Sequence, residues 1–261
     1  MACSPRSRRR STVEYRVDLN ADLGEGAGND AAILDFVTSA NIACGGHAGD
    51  PELMASTIEL AKRRGVAIGA HPGYPDRGGF GRRQLQLTPQ EIHGFVLEQI
   101  SSLLDLTRTA NASMHHVKPH GALYNAAATD RAVADAIATA IAAVDPTFAL
   151  YGLAGSDLIA AGEGAGLRTV AEGFADRTYA ADGTLTPRSD EQALIQDPKA
   201  AAAQAIRLVT EGKVRSLNGS DVELRVDTIC IHGDSPHAVS LAQRIRLGLE
   251  AAGIKVAPPP S

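Results

Sequence analysis

At 261 residues, with 44% hydrophobic and 21% charged residues, the chain is long enough for one large α/β domain and has the composition of an ordinary globular protein. Lys and Arg number 25 against 30 Asp and Glu, and the formal net charge of -5 offers nothing to nucleic acid. No apolar stretch approaches the roughly 20 uninterrupted residues that cross a bilayer, and three cysteines without metal-type spacing, Cys3, Cys44 and Cys230, indicate a reducing, cytoplasmic location.

The chain opens on the basic stretch MACSPRSRRRSTVEY. Arg8-Arg9 invites a twin-arginine reading, but no apolar segment follows, so residues 1–14 are read as a disordered basic tail and residues 15–257 as a single domain. The first strand-like run is RVDLNADLGE, from Arg16 to Glu25, and the second is VTSANIACGGHAGD, from Val37 to Asp50. Helical spacing over Pro51 to Arg64 leads to a third run, VAIGAHPGYPD, from Val66 to Asp76. Thr88-Pro89-Gln90-Glu91 then supplies an N-cap, a Pro at the first helical position and a Glu at the third, ahead of Ile92, Phe95, Val96, Gln99, Ile100 and Leu103.

A fourth strand runs into HHVKPHGALYN, from His115 to Asn125, followed by helical spacing over Thr129 to Val144. Strands from Phe148 and Arg168 flank a helix over Ser156 to Ala165. Phe174 to Leu194 has no clear periodicity and reads as a loop over the site. After a helix over Asp197 to Glu211, Asn218-Gly219 marks the turn of a small hairpin near Val214 to Leu224. The last strand, from Asp227 in DTICIHGD, precedes a helix over Pro236 to Ala251. This alternation is βαβ grammar. Runs such as Thr228-Ile229-Cys230-Ile231 are continuously apolar, as strands buried on both faces require. A closed barrel somewhat short of eight parallel strands is the expected fold, with an open doubly wound sheet as the alternative.

Six of the seven runs end in His, carboxylate, Lys or Arg, and in a parallel sheet or barrel those ends share one face. Strand alternation places Asp18, Asn20 and Asp22 on one side of the first strand, where with Glu25 they could bind a cation or supply a base; the simpler reading of Asp22 and Glu25 is turn capping. His47, His71, His120 and His232 each sit just beyond a different strand. That placement suits one metal or one substrate, with imidazole and carboxylate fitting Zn, Mn, Ni or Fe(II), although a lone loop His can equally hydrogen-bond a carbonyl. His93, His115, His116 and His237 fall on helices or strand starts and read as structural. Lys118 shares a strand face with His120 and suits an oxyanion, or else an ion pair inside the barrel with Glu172 or Asp18. GGFGRR, Gly78 to Arg83, is built to grip a carboxylate or phosphate, or is a solvated surface loop; lacking Gly-Lys-Ser/Thr, it is not a P-loop. Cys44 and Cys230 stand beside these positions and read as small buried residues rather than nucleophiles.

Together DLNADLGE, SANIACGGHAGD, GAHPGYPDRGGFGRR, VKPHGALYN, FADRTYAADGTLTPR and CIHGD resemble the LamB/YcsF family, over about Arg16 to Val256. The departures are small: Gly173 stands where a bulkier residue is usual, and Gln192-Ala193 where Gly-Ala is common. The resemblance implies the A component of an ATP-dependent 5-oxoprolinase, opening 5-oxo-L-proline to L-glutamate with subunits B and C. It also implies a distorted (β/α) barrel of about seven strands related to polysaccharide deacetylases. On that basis Asp22, His71 and His120, with His47 nearby, form a metal-binding or acid-base set, and Asp18 or Glu172 is a base. Lys118 stabilises an oxyanion, Arg82 or Arg177 holds the substrate carboxylate, and Asn20, Glu25 and His232 complete the substrate site. ATP with Mg2+ belongs to the complex, and a divalent metal to this chain. Two rivals remain at this point: a stand-alone metal-dependent deacetylase-type hydrolase, and a non-catalytic substrate-binding subunit.

Overall fold

The computed structural model describes residues 14–232 and 237–259. Nearly all of the basic tail, Cys3, the Gly233-Asp234 end of the CIHGD motif and the expected helix start at Pro236 lie outside the described residues. In chain order the elements are β1 (Arg16–Leu23), α1 (Asp30–Ile33), β2 (Ser39–Ala43), α2 (Pro51–Arg64), β3 (Ala67–His71), a 3-10 turn (Arg77–Gly79), α3 (Pro89–Thr109), β4 (Met114–Val117) and α4 (Gly121–Ala127). There follow α5 (Arg131–Val144), β5 (Ala149–Leu153), α6 (Asp157–Gly164), β6 (Arg168–Phe174), α7 (Pro198–Glu211), β7 (Lys213–Arg215), β8 (Asp221–Glu223), β9 (Thr228–His232), α8 (Ala238–Ala251) and β10 (Lys255–Val256).

Strands β1 to β6 pair in sequence order, β6 pairs with β9, and β9 returns to β1 with Asp18 opposite Thr228 and Asp22 opposite His232. The seven parallel strands therefore close, and closure decides between barrel and open sheet. Strand β10 adds only to the first two residues of β1, while β7 and β8 form a separate antiparallel hairpin at the place where Asn218-Gly219 signals a turn. No described helix is long and apolar enough to cross a membrane.

Local chemistry explains the helix boundaries. Helix α2 starts where Asp50 accepts from the Leu53 amide ahead of Pro51, and stops at Gly65, whose φ of 65° is left-handed. Thr88 and Glu91 form the reciprocal capping box of α3, and the buried face of that helix carries Ile92, Val96, Ile100 and Leu103. Helices α1 and α4 are absent from the sequence reading: α1 spans a single turn and α4 opens on a glycine inside a loop-like motif, so neither shows a 3.6-residue period.

The outward residues of β1, Leu19, Ala21 and Leu23, join the apolar core beneath the helices. Its inward residues are Asp18, Asn20 and Asp22, all buried. Barrel interiors are ordinarily filled by branched apolar side chains; along β1 this one is polar throughout. Because the Thr88 hydroxyl caps α3 on the outer surface, Thr88→Ala should cost about 1 kcal/mol of unfolding free energy, readable as a lower urea midpoint with an unchanged slope.

Candidate active site

Three histidines and one carboxylate meet at the carboxyl ends of β1 to β4. Glu25 Oε1 lies 3.1 Å from His47 Nε2, 3.3 Å from His120 Nδ1 and 3.9 Å from His71 Nε2. His71 Nε2 and His120 Nδ1 are 3.0 Å apart, and the His47 and His120 rings stack at 3.6 Å. The remaining nitrogens fix the tautomers. His71 Nδ1 donates to the Lys118 carbonyl at 2.7 Å and His120 Nε2 donates to the Phe80 carbonyl at 2.9 Å. In the neutral rings, His71 Nε2 and His120 Nδ1 therefore face each other as bare lone pairs beside a carboxylate oxygen. Burial, reinforced by neighbouring His71, holds His47 at about 2 and His120 well below the usual imidazole range. Converging lone pairs of N and O repel one another unless a cation sits among them, and these donors suit a divalent metal.

The glycines of this rim are steric requirements. A Cβ on Gly81, whose φ is +62°, would fall 2.7 Å from His47 Cβ and 2.9 Å from His120 Cδ2. The GGFGRR segment thus lies over the stacked imidazoles, which also fixes the fates of its two arginines. Arg83 pairs with Asp76, whereas Arg82 sits over the Phe80 ring and lines the cleft.

Beneath the cluster lies a buried ion network. Lys118 Nζ is 2.9 Å from Asp22 Oδ1, Glu172 Oε1 and Cys230 Sγ, and 3.2 Å from Asn20 Oδ1. Burial disfavours its charge, but the Asp22 and Glu172 carboxylates, with the Cys230 sulfur accepting a hydrogen bond, outweigh burial and hold the ammonium well above its usual range. Asp22 is likewise held low against burial, by His71, 3.3 Å away, when that imidazole is charged, and by Lys118. Cys230 is pushed up by burial and Cys44 to about 12 for the same reason, so both are thiols. One layer lower, Asn20 donates to Glu172 and Thr228, while Asn41 donates to Asn20 and Asp22 and accepts from His116 Nε2.

Asp18 lies below that amide layer and outside the cleft. It accepts from Thr38 at 2.6 Å, Thr228 at 2.7 Å, Ser39 at 2.8 Å and Tyr151 at 3.2 Å, and burial raises its pKa against the pull of those hydroxyls. The structure therefore brings Asp22, Glu25, His47, His71, Lys118 and His120 together, with Asn20 and Glu172 behind them, and leaves Asp18 apart.

The opposite wall comes from β6, β9 and the loop after β6. His232 lines the cleft with Nδ1 held 2.9 Å from Asp176, and Asp176 is kept low, against burial, chiefly by His232. Buried Arg177 also lines the cleft, but donates to the carbonyls of Thr186 and Ala193, tying down its own loop. Burial and neighbouring Arg188 lower Arg177 to about 10. Asp176, Arg188 and Tyr124 also belong to this site and were missed in the sequence; Asp176 stands just past β6 within FADR, where the strand-end signal could have found it, whereas Tyr124 lies inside α4 and Arg188 far along the loop after β6.

The family model described as LamB/YcsF family matches residues 17–261. The chain belongs to the LamB/YcsF family. It is 56% identical over 246 residues to the A component of the 5-oxoprolinase of Bacillus licheniformis, covering 92% of this chain and 97% of that protein. It is 54% identical over 247 residues to the corresponding 5-oxoprolinase component of Bacillus subtilis, covering 93% and 96%. Among solved structures, the lactam utilization protein of Thermus thermophilus superposes with a TM-score of 0.87 at 47% identity, covering 93% of this chain and 99% of that one. A structure described as T48 deacetylase with substrate, at a TM-score of 0.50, 14% identity and coverage of 94% and 88%, shares the fold alone. This family member thus has the expected deacetylase-like barrel.

Because Lys118 offsets two buried carboxylates, Lys118→Met leaves Asp22 and Glu172 unpaired. It should lower the unfolding free energy by about 3–5 kcal/mol, measured by chemical denaturation.

Proposed function

We propose that the chain is the component of an ATP-dependent 5-oxoprolinase that opens 5-oxo-L-proline to L-glutamate, acting with partner subunits B and C. The observation that carries this reading is the Glu25, His47, His71 and His120 cluster at the floor of a cleft lined by Arg82, Lys118, Arg177 and Arg188. The names of the relatives supply the lactam. A divalent metal held by those four residues would polarise a lactam oxygen or an attacking water.

The chain's own residues account for the remaining tasks. The arginines hold the substrate carboxylate at the mouth of the cleft. Asp22, ionised and beside the cluster, takes the proton of the attacking water. His232, oriented through Nδ1 by Asp176, enters as the imidazolium and gives its Nε2 proton to the nitrogen as the C–N bond breaks and the ring opens; the proton that Asp22 has taken is released when glutamate leaves and the imidazole is recharged from solvent. Glu172 and Asn20 hold Lys118, and Lys118 holds Asp22. An unstrained five-membered lactam needs activation, and ATP with Mg2+, cleaved in the complex, supplies it. The chain carries no Gly-rich phosphate loop ending in Lys-Ser/Thr, which supports assigning the nucleotide to the partners.

One observation favours a second reading, a stand-alone metal-dependent hydrolase: the cluster is assembled from a single chain. Glutamate release from 5-oxoproline, measured with and without ATP and the partner subunits, separates the two. The oxoprolinase reading expects release only from the complete set. ATP-independent amide hydrolysis by the isolated chain would replace it. His71→Ala and His120→Ala should abolish turnover while the circular dichroism spectrum is retained, and should lower bound metal as measured by elemental analysis.

A further inference from the structure

Two of the three cluster histidines are aimed by a hydrogen bond to a main-chain carbonyl, and the third is not. His71 Nδ1 donates to Lys118 and His120 Nε2 to Phe80, whereas His47 Nδ1 has no partner among the described residues. The His47 ring is placed instead by packing: it stacks on His120 at 3.6 Å and lies against Gly73, where an added Cβ would fall 2.6 Å from Nδ1. A ring held this way is only as well placed as the backbone it packs on. Gly46, His47 and Gly73 all stand outside the helices and strands, so the loops after β2 and β3 need an external tie.

Gln99 supplies it. This residue is 7% exposed and sits on the buried face of α3 among Ile92, Val96, Ile100 and Leu103. Its carboxamide closes two hydrogen bonds on one residue: Oε1 accepts from the Gly73 amide at 3.1 Å, and Nε2 donates to the Gly73 carbonyl at 2.8 Å. The same carboxamide lies against Gly46, the residue before His47, where a Cβ would stand 2.6 Å from Oε1 and 2.7 Å from Nε2. The turn that Gln99 holds also reaches the third histidine, because the Pro72 carbonyl accepts from the His120 amide at 2.8 Å. A carboxamide bonded at both ends has one orientation. An apolar side chain in its place would leave a buried N–H and C=O of Gly73 unpaired.

Resting on the metal reading above, we infer that Gln99 is a positioning residue that holds Gly46 and Gly73 at the separation which keeps His47 aligned with His71 and His120. It acts through the two glycines and contributes no ligand of its own. Helix α3, whose apolar face serves the core, thereby also fixes the cluster from outside the barrel.

Gln99→Met keeps the length of the side chain and removes both hydrogen bonds. Titrating Co2+ into the metal-free full chain reads affinity, and the visible absorption of the bound ion reads the geometry of its ligands. Gln99→Met should bind Co2+ about 10–100-fold more weakly than wild type, with a changed absorption spectrum. Leu103→Ala, at a fully buried core position of the same helix, controls for lost stability: it should lower the unfolding temperature and leave the affinity and spectrum as in wild type. A Gln99→Met chain that binds within about threefold of a working wild type, with the wild-type spectrum, overturns the assignment alone, and so does an equal loss of affinity in Leu103→Ala. If Gln99→Met does not fold, Gly46→Ala, which crowds the carboxamide and keeps its hydrogen-bonding groups, carries the same expectation and the same overturning result. A wild-type chain that binds no Co2+ overturns the metal reading and this assignment with it.

Discussion

One ammonium group holds the interior together. The chain places Asp22 and Asn20 on β1, Glu172 on β6 and Cys230 on β9 so that all four converge on Lys118, just past β4. Two carboxylates buried side by side would repel, and a buried lysine alone would shed its proton; together they are mutually necessary. Strands on opposite sides of the barrel are thereby fixed in one register by charge as well as by backbone pairing. The same residue reaches the rim through its main chain, since the Lys118 carbonyl sets the His71 tautomer. The ionic interior and the histidine cluster are therefore one construction.

The division of labour around the barrel follows from this. The ends of β1 to β4 and the loops after them build the cluster, and β6, the loop after it and the last residue of β9 build the facing wall with Arg177 and His232. Opposite strand ends lie across the barrel mouth, so the cleft between these walls has the cluster on one side and His232 on the other. The segment over His120 is bound to this geometry at close quarters: the Phe80 carbonyl accepts a hydrogen bond from His120 Nε2, and Arg77 ties the same turn to the His47 loop through the carbonyls of Gly45 and Gly49.

Much of this was legible in the sequence, because parallel strands place their ends on one face. The strand alternation that groups Asp18, Asn20 and Asp22 is observed, and so is the convergence of His47, His71 and His120. Alternation reports a side, however, and not a depth: Asp18 and Asp22 share a face, yet one is enclosed by hydroxyls and the other lines the cleft. Periodicity also ends where the strand does. Glu25 follows Gly24, whose φ is +70°, so nothing in the spacing could say that Glu25 rather than Asp22 makes the closest carboxylate contact with His47 and His120. Arg82 and Arg83 are chemically identical neighbours with opposite partners, and only the fold of the turn separates them.

The paired amides of Asn20 and Asn41 have a consequence of their own. Each is oriented by its surroundings, with N–H groups toward carboxylate, hydroxyl and amide oxygens, the Asn20 carbonyl toward Lys118 and the Asn41 amide, and the Asn41 carbonyl toward His116. A carboxamide neither gains nor loses a proton readily, so this layer is a break in an otherwise continuous column of ionisable and hydroxylic groups. Any proton exchange among Asp22, Glu172 and the histidines is thereby insulated from Asp18 and Tyr151 below the layer. Protons used above the layer must come and go through the cleft, by the same door as the substrate.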